Sequence, residues 1–321
     1  MPNIKFGNNS TNWKKWTWFQ VALQWQGSVI PGILPRVIFC GGFGLLISIL
    51  YHYHPSIAWS RLSGIVPSIV LGLLLVFRTN TAYERFWEGR KLWGNLINTV
   101  RNFARQIWGA IAENTPEDRT NKIATLRLLV AFAVATKLHL RSEPLNAELE
   151  ALVPVDCYEK LKTMNHPPLE IAFWIGDYLQ QQHERGCLNT YQLTAMLKLL
   201  DEMVDVLGGC ERILKTPIPL AYAIHLKQLL LIYCLTLPFE IVKDFTWWTA
   251  LIVSLVSFTL LGIEEIGIEI ENPFGYDAND LPLDTICMTM QRNIEDLITL
   301  APCVRHWKNT GKNSQVRSQE S

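Results

Sequence analysis

The chain has 321 residues, with 29 Lys and Arg against 29 Asp and Glu, so its formal net charge is zero. It is 49% hydrophobic and only 18% charged, below the roughly 25% charged that is usual for a soluble domain. Balanced charge excludes a nucleic-acid binder that relies on bulk positive charge, and the low charged fraction excludes a mostly disordered chain.

Seven cysteines, Cys40, Cys157, Cys187, Cys210, Cys234, Cys287 and Cys303, form no CxxC pair. That is neither a secreted disulfide framework nor a zinc spacing, so reduced structural thiols are expected. The first ten residues are polar and do not read as a signal peptide. Trp13, Trp16, Trp18 and Trp25 with Lys14 and Lys15 then suggest an interfacial helix.

Four apolar runs follow, at residues 37–53, 62–77, 228–242 and 245–263. A bilayer core needs about 20 apolar residues, with about 17 tolerated. The fourth run meets this on its own. The others are short or interrupted, but the four fall into two closely spaced pairs that read as helical hairpins. The hairpin turns hold only Arg61 and Lys243, whereas the flanks are rich in Lys and Arg. The positive-inside rule then places both termini and the middle of the chain on the cytoplasmic side. Trp59, Trp247 and Trp248 lie at the outer ends, where interfacial aromatics belong.

The intervening section is charged and helical in period, without strand alternation. Residues 78–113 read as a direct continuation of the second span. Asn114-Thr115-Pro116-Glu117-Asp118 is a helix start. The helix after it, 119–140, carries an apolar run at 128–135 that is too short to span, so it is expected to be buried in a helical core. Asn165-His166-Pro167-Pro168 precedes a helix at about 169–184. Asn189-Thr190 caps another, expected to end near Leu207 because Gly208-Gly209 follows.

The expected fold is therefore all-α: four transmembrane helices continuing into a cytoplasmic helical bundle. The expected divisions are 1–78, an interfacial helix and first hairpin; 79–217, a cytoplasmic helical region; and 218–266, the second hairpin. A loop and C-terminal helix follow at 267–307, and a disordered tail at 308–321.

Ile65, Ile69 and Leu73 on the second span are four residues apart and share one helical stripe. Such a stripe packs against lipid or another helix, or forms an apolar constriction when copies ring an axis. His52 and His54 fit an interfacial pair better than a metal site. Lys227 either snorkels to the interface or lines an ion path. Glu264, Glu265, Glu269 and Glu271 lead into Asn272-Pro273-Phe274-Gly275, Asp277 and Asp280. This tract reads either as a solvated acidic loop or as carboxylates gathered for Ca²⁺, though not with EF-hand spacing. Nucleotide-binding, zincin and hydrolase motifs are lacking, and no paired nucleophile and base can be named, so an enzyme is not expected.

The tract at 77–94, FRTNTAYERFWEGRKLWG, contains Arg78, Asn80, Tyr83, Arg85, Phe86, Trp87 and Glu88 directly after the second span. It resembles the bacterial and plant branch of the bestrophin family. Asn272, Pro273, Phe274 and Gly275 with Asp277 and Asp280 resemble that family's loop after the last span. TPIPLAY, residues 216–222, resembles the opening of its third span.

The resemblance implies a homopentameric ion channel in a lipid bilayer, with one axial pore and no nucleic-acid partner. The setting is a cell inner membrane or, in a photosynthetic source, a thylakoid membrane. The permeant ion would be chloride or bicarbonate, with a sodium-conducting channel of the same fold or a non-conducting scaffold as alternatives. The family's pore neck falls on Ile65, Ile69 and Leu73, and its cytoplasmic aperture on Ile218. Asp277 and Asp280 match Ca²⁺-ligand positions of animal members, which carry a continuous acidic string where this chain has Ala278 and Asn279. Those members also carry Phe in the neck where this chain has Ile69 and Leu73. Required cofactors are not expected, and the interrupted acidic string argues against Ca²⁺ control.

Overall fold

The structure, a computed structural model, describes residues 18–19, 23–25, 27–58 and 65–300, with the side chains of residues 65–67 and 300 outside that description. The expected interfacial helix, Trp59 and Arg61 of the first outer turn, Cys303 and the expected disordered tail lie wholly or largely outside the described residues. Regular structure among the described residues is entirely helical. In chain order the helices are α1 (Ile30–Tyr53), α2 (Ile65–Ala110), α3 (Pro116–Leu140), α4 (Ala147–Glu150), α5 (Val155–Thr163), α6 (Pro167–Glu184), α7 (Thr190–Lys215), α8 (Leu220–Phe245), α9 (Thr249–Glu269) and α10 (Leu283–Leu300). Single 3-10 turns lie at Pro55–Ile57 and Thr246–Trp248.

The chain divides into two compact units. The first takes the described residues of Met1–Arg85, Pro217–Asn272 and Tyr276–Asp280, and the second those of Phe86–Thr216, Pro273–Gly275 and Leu281–Ser321. Helix α2 is continuous for 46 residues and contributes to both, as the uninterrupted period after the second span predicts.

In the first unit α1 packs against α8 and α9. Small residues allow the close approach. A Cβ on Gly44 would lie 3.3 Å from both the Cα of Ala250 and the Cβ of Val253. Association of helices in lipid depends on such close backbone packing, because lipid tails are as apolar as Leu and burial gains nothing. Cys40, Cys234 and Val253 join α1, α8 and α9, and the described thiols are free, as expected. Outward positions are apolar. Ile38, Phe39, Leu251 and Leu255 are each exposed.

The second unit follows the opposite rule. Its core gathers Trp93, Phe103 and Ile107 of α2, Leu129 and Phe132 of α3, Ile175 of α6 and Met203 of α7, all fully buried. Helix α3 is the test of the two rules. By length and composition it could cross a membrane, but 72% of its most apolar window is buried within the protein. The corresponding share is 39% for Ile30–Tyr53 and 28% for Leu220–Glu269. Helix α3 is therefore a core helix, as its short apolar run predicts. Its start is fixed by a capping box: the Asp118 amide donates to Thr115 Oγ1, and Asp118 Oδ2 accepts from the Thr115 amide at 2.8 Å. Such caps contribute about 1 kcal/mol.

One expected boundary is corrected. Helix α7 does not stop at Leu207 but runs through Gly208-Gly209 to Lys215. The glycines serve packing rather than termination. A Cβ on Gly209 would meet both Leu92 methyl carbons at 3.0 Å, so glycine there lets α2 approach.

Candidate functional site

Helix α2 carries two opposed stripes in the first unit. Leu71, Leu75, Arg78 and Ala82 are buried, and Leu71 and Leu75 pack on Leu226 and Leu230 of α8. On the other side Ile69, Leu73, Val76, Asn80 and Tyr83 are exposed, with Ile69 at 58% and Leu73 at 53%. Steps of four and three residues keep these five on one line down the helix. Ile65 begins the helix, but its side chain lies outside the described residues. The chain thus covers one face of α2 and leaves an apolar face for another surface, either lipid or further copies of the helix.

The covered face is held by directed hydrogen bonds. Tyr222 Oη donates to the Leu74 carbonyl at 2.6 Å. The Arg78 guanidinium donates to Glu271 Oε2 at 3.3 Å, and Arg85 Nε donates to the Glu271 carbonyl at 3.0 Å. Glu271 Oε1 accepts the Ile218 amide at 3.0 Å. Ile218 stands between Pro217 and Pro219, neither of which has an N–H, so its amide is the only backbone donor of that three-residue segment. One glutamate therefore ties the expected neck helix to the expected aperture residue. The sequence names Glu271 only as part of an acidic tract. The signal that identifies it is the lone donor between two prolines.

The acidic tract is not simply a solvated loop. Arg36 lies 3.8 Å from the buried Glu264 and 3.0 Å from Glu265. Glu269 Oε2 accepts from the Asn279 side-chain amide at 2.7 Å. Asp277 and Asp280 form a tight turn, in which the Asp280 amide donates to the Asp277 carbonyl and the Asp277 amide donates to Asp280 Oδ2 at 2.7 Å. One carboxylate oxygen is thus used within the turn itself. Among the described residues, the three-ligand grouping of His, Cys, Asp or Glu lies elsewhere, at His139, His166 and Glu211. Lys227, beside the expected ion path, is exposed and shares a cavity of about 490 Å³ with Arg36, Glu264, Cys40 and Cys234. His225 is likewise exposed, and so is His54. His52 stacks near Tyr53 and Trp247, with ring centroids at 5.5 and 6.1 Å, which suits an aromatic interfacial belt.

Asn272 belongs to the first unit and is exposed, while Pro273, Phe274 and Gly275 belong to the second, where Phe274 is fully buried. Arg141 donates to the Phe274 and Gly275 carbonyls at 3.0 and 3.2 Å and pairs with Asp284 at 3.0 Å. Asp284 in turn accepts from the buried Lys137, which also reaches Glu148. Burial opposes the Lys137 charge, but the hydrogen bonds to Asp284 and Glu148 outweigh it and raise its pKa. Gly89 explains one glycine of the tract at 77–94: a Cβ there would lie 3.1 Å from Pro273 Cγ and 3.2 Å from Phe274 Cε1. Of the tract's other residues in the second unit, Phe86 packs at the core edge, Trp87 is exposed, and Glu88 pairs with Arg212 at 2.5 Å.

The chain matches the Bacterial/Fungal Bestrophin protein family over residues 10–296. It is 62% identical to a voltage-dependent anion channel-forming protein of Nostoc sp., over 93% of this chain and 97% of that one. A voltage-dependent anion channel-forming protein of Escherichia coli K12, YneE, is 30% identical over 85% of this chain and 89% of its own length. Among solved structures, a bacterial bestrophin homologue from Klebsiella pneumoniae superposes with a TM-score of 0.77 at 30% identity, covering 83% of this chain and 98% of that one. The chain belongs to the bacterial/fungal bestrophin family.

Proposed function

We propose that this bestrophin-family chain assembles as a homopentamer in a membrane and forms a passive, anion-permeable channel, conducting chloride or bicarbonate through one axial pore. The observation that carries the reading is the uncovered apolar stripe on α2, set opposite a face anchored through Leu74, Arg78 and Glu271. Five copies of that stripe around an axis would place rings of Ile65, Ile69 and Leu73 at a dry neck that gates by dewetting. Ile218, fixed by Glu271, would form the cytoplasmic aperture. Each chain would contribute four transmembrane helices, α1, the first part of α2, α8 and α9, with both termini cytoplasmic, or stromal in a thylakoid membrane. Residues 79–217 would form the cytoplasmic helical region, joined by the loop and helix of 267–307.

Apolar rings do not choose the sign of an ion; charged groups near the path do. Glu264 and Glu265 face Arg36, and Glu271 faces Arg78, whereas Lys227 and His225 are exposed. That distribution supports anions over cations. The relatives named as anion channel-forming proteins support the same sign. Conduction requires no cofactor in this reading, because Ala278 and Asn279 interrupt the acidic string and one Asp280 carboxylate oxygen is already used within the turn. Asp277 and Asp280 would then not gate the channel through Ca²⁺.

Recording from purified protein in planar bilayers under a salt gradient tests the proposal. The expected reversal potential lies toward the chloride limit and does not respond to Ca²⁺. A reversal potential at the cation limit overturns the anion assignment. A monomer that persists in mild detergent and in nanodiscs overturns the axial pore. Converting Ile65, Ile69 and Leu73 together to Ala is expected to raise the open-channel current several-fold. Unchanged conductance and gating would show that the neck lies elsewhere.

A further inference from the structure

Away from the residues assigned to conduction, the second unit brings together three metal-ligand side chains from three helices. His139 lies in the last turn of α3, His166 is the N-cap of α6, and Glu211 lies on α7. Glu211 Oε1 is 2.6 Å from His139 Nε2 and 2.8 Å from His166 Nε2, and the two imidazole centroids are 4.4 Å apart. The three ligand atoms lie within 4.8 Å of one another. We propose that His139, His166 and Glu211 form a binding site for a divalent transition metal of the Zn²⁺ type, clamping α3, α6 and α7.

Two imidazole nitrogens and one carboxylate oxygen form a recurrent zinc donor set with a fourth position open. Imidazole donors select Zn²⁺ over Ca²⁺ and Mg²⁺, which take oxygen ligands. The present separations are those of hydrogen bonds through shared protons. Metal–ligand bonds of about 2.0–2.2 Å would separate the ligand atoms by a little over 3 Å, which needs only small side-chain shifts. The three side chains are partly exposed, at 25%, 29% and 19%, so an ion can reach them. His139 also lines a cavity of about 570 Å³, which supplies room for a water in the fourth position. Lys215 competes, since its Nζ lies 3.2 Å from Glu211 Oε2. It approaches the other carboxylate oxygen, and at 69% exposure it is free to swing away.

His166 does not cap α6 with its side chain, and Pro167 keeps its backbone out of the helical region, so its ring is placed without a helix-capping duty. His139, His166 and Glu211 are 27 and 45 residues apart along the chain (139 to 166 and 166 to 211). An ion binding all three would therefore stabilise the folded unit relative to the unfolded chain.

The experiment titrates Co²⁺, then Zn²⁺, into the purified full-length chain in detergent. One tetrahedral Co²⁺ per chain is expected, seen as visible d–d absorption that Zn²⁺ displaces, together with a Zn²⁺-dependent rise in unfolding temperature. His139→Ala, Glu211→Gln and His166→Asn should each weaken the affinity by at least about 100-fold, more than the loss of an outer-shell partner. His166→Asn supplies a strong N-cap residue, so it keeps α6 intact and guards against a folding artefact. His52→Ala, at an exposed histidine of the first unit, should leave the titration unchanged. The proposal is overturned if Co²⁺ shows only octahedral absorption, or if the three variants bind as tightly as the unaltered chain. Either result would reduce the cluster to a His–Glu–His hydrogen-bonded bridge.

Discussion

Both units contain a helix long and apolar enough to cross a membrane, α1 in the first and α3 in the second, but they bury it by opposite rules. In the first, exposed Ile38, Phe39, Leu251 and Leu255 surround contacts made by Gly44, Ala250 and Val253. In the second, Leu126, Leu129, Phe132 and Leu138 of α3 are withdrawn almost completely from solvent. The lesson is that apolar content does not separate a spanning helix from a core helix. What separates them is whether the chain itself supplies the apolar surroundings.

The largest effect that would test this contrast is Phe132→Ala. Phe132 is fully buried, so its truncation should cost about 3–5 kcal/mol, measured as a lowered unfolding midpoint of the purified chain. Gly44→Val comes next. The added Cβ would press on the Ala250 backbone, which has no free rotation to escape, so overpacking should cost about 1–3 kcal/mol and separate α1 from α9. A variant that is as stable as the original would mean that the helices do not approach this closely.

A pH effect confined to the second unit should follow. Asp118 is paired with Arg185 at 2.7 Å, and its carboxyl is held down at about 2 by Arg185 and by the capping amides of Thr115 and Asn114. A depressed folded pKa means that ionisation favours the folded state. This contribution is fully present above the unfolded value of 3.8 and is lost as pH falls toward 2. Asp118→Asn should make the stability profile less steep in that window. The smallest effect should be Leu255→Ala. At 65% exposure on α9, it should change stability by less than about 0.5 kcal/mol. A loss as large as that from Phe132→Ala would show that Leu255 is covered by another protein surface.

Much of the fold was legible because its determinants are local. The period of α2, the Thr115 and Asn189 caps, and the apolar runs of α1, α8 and α9 all depend on neighbours within a few residues. The end of α7 was misread because Gly208-Gly209 is a breaker by propensity, whereas Leu92, more than a hundred residues away, decides that it is a packing notch. The partners of the acidic tract were not legible for the same reason. Its carboxylates find Arg36, Arg78 and the Ile218 amide only after the chain has turned back on itself.

By itself the sequence determined the helical class, the positions of the long apolar helices and the stripe on α2, because periodicity is written along the chain. Only the tertiary structure decided that Gly208-Gly209 continues α7 as a packing notch and that Glu271 joins Arg78 to Ile218. It alone brought His139, His166 and Glu211 to one point. Those outcomes depend on side chains far apart in sequence meeting in space, and no local spacing encodes that.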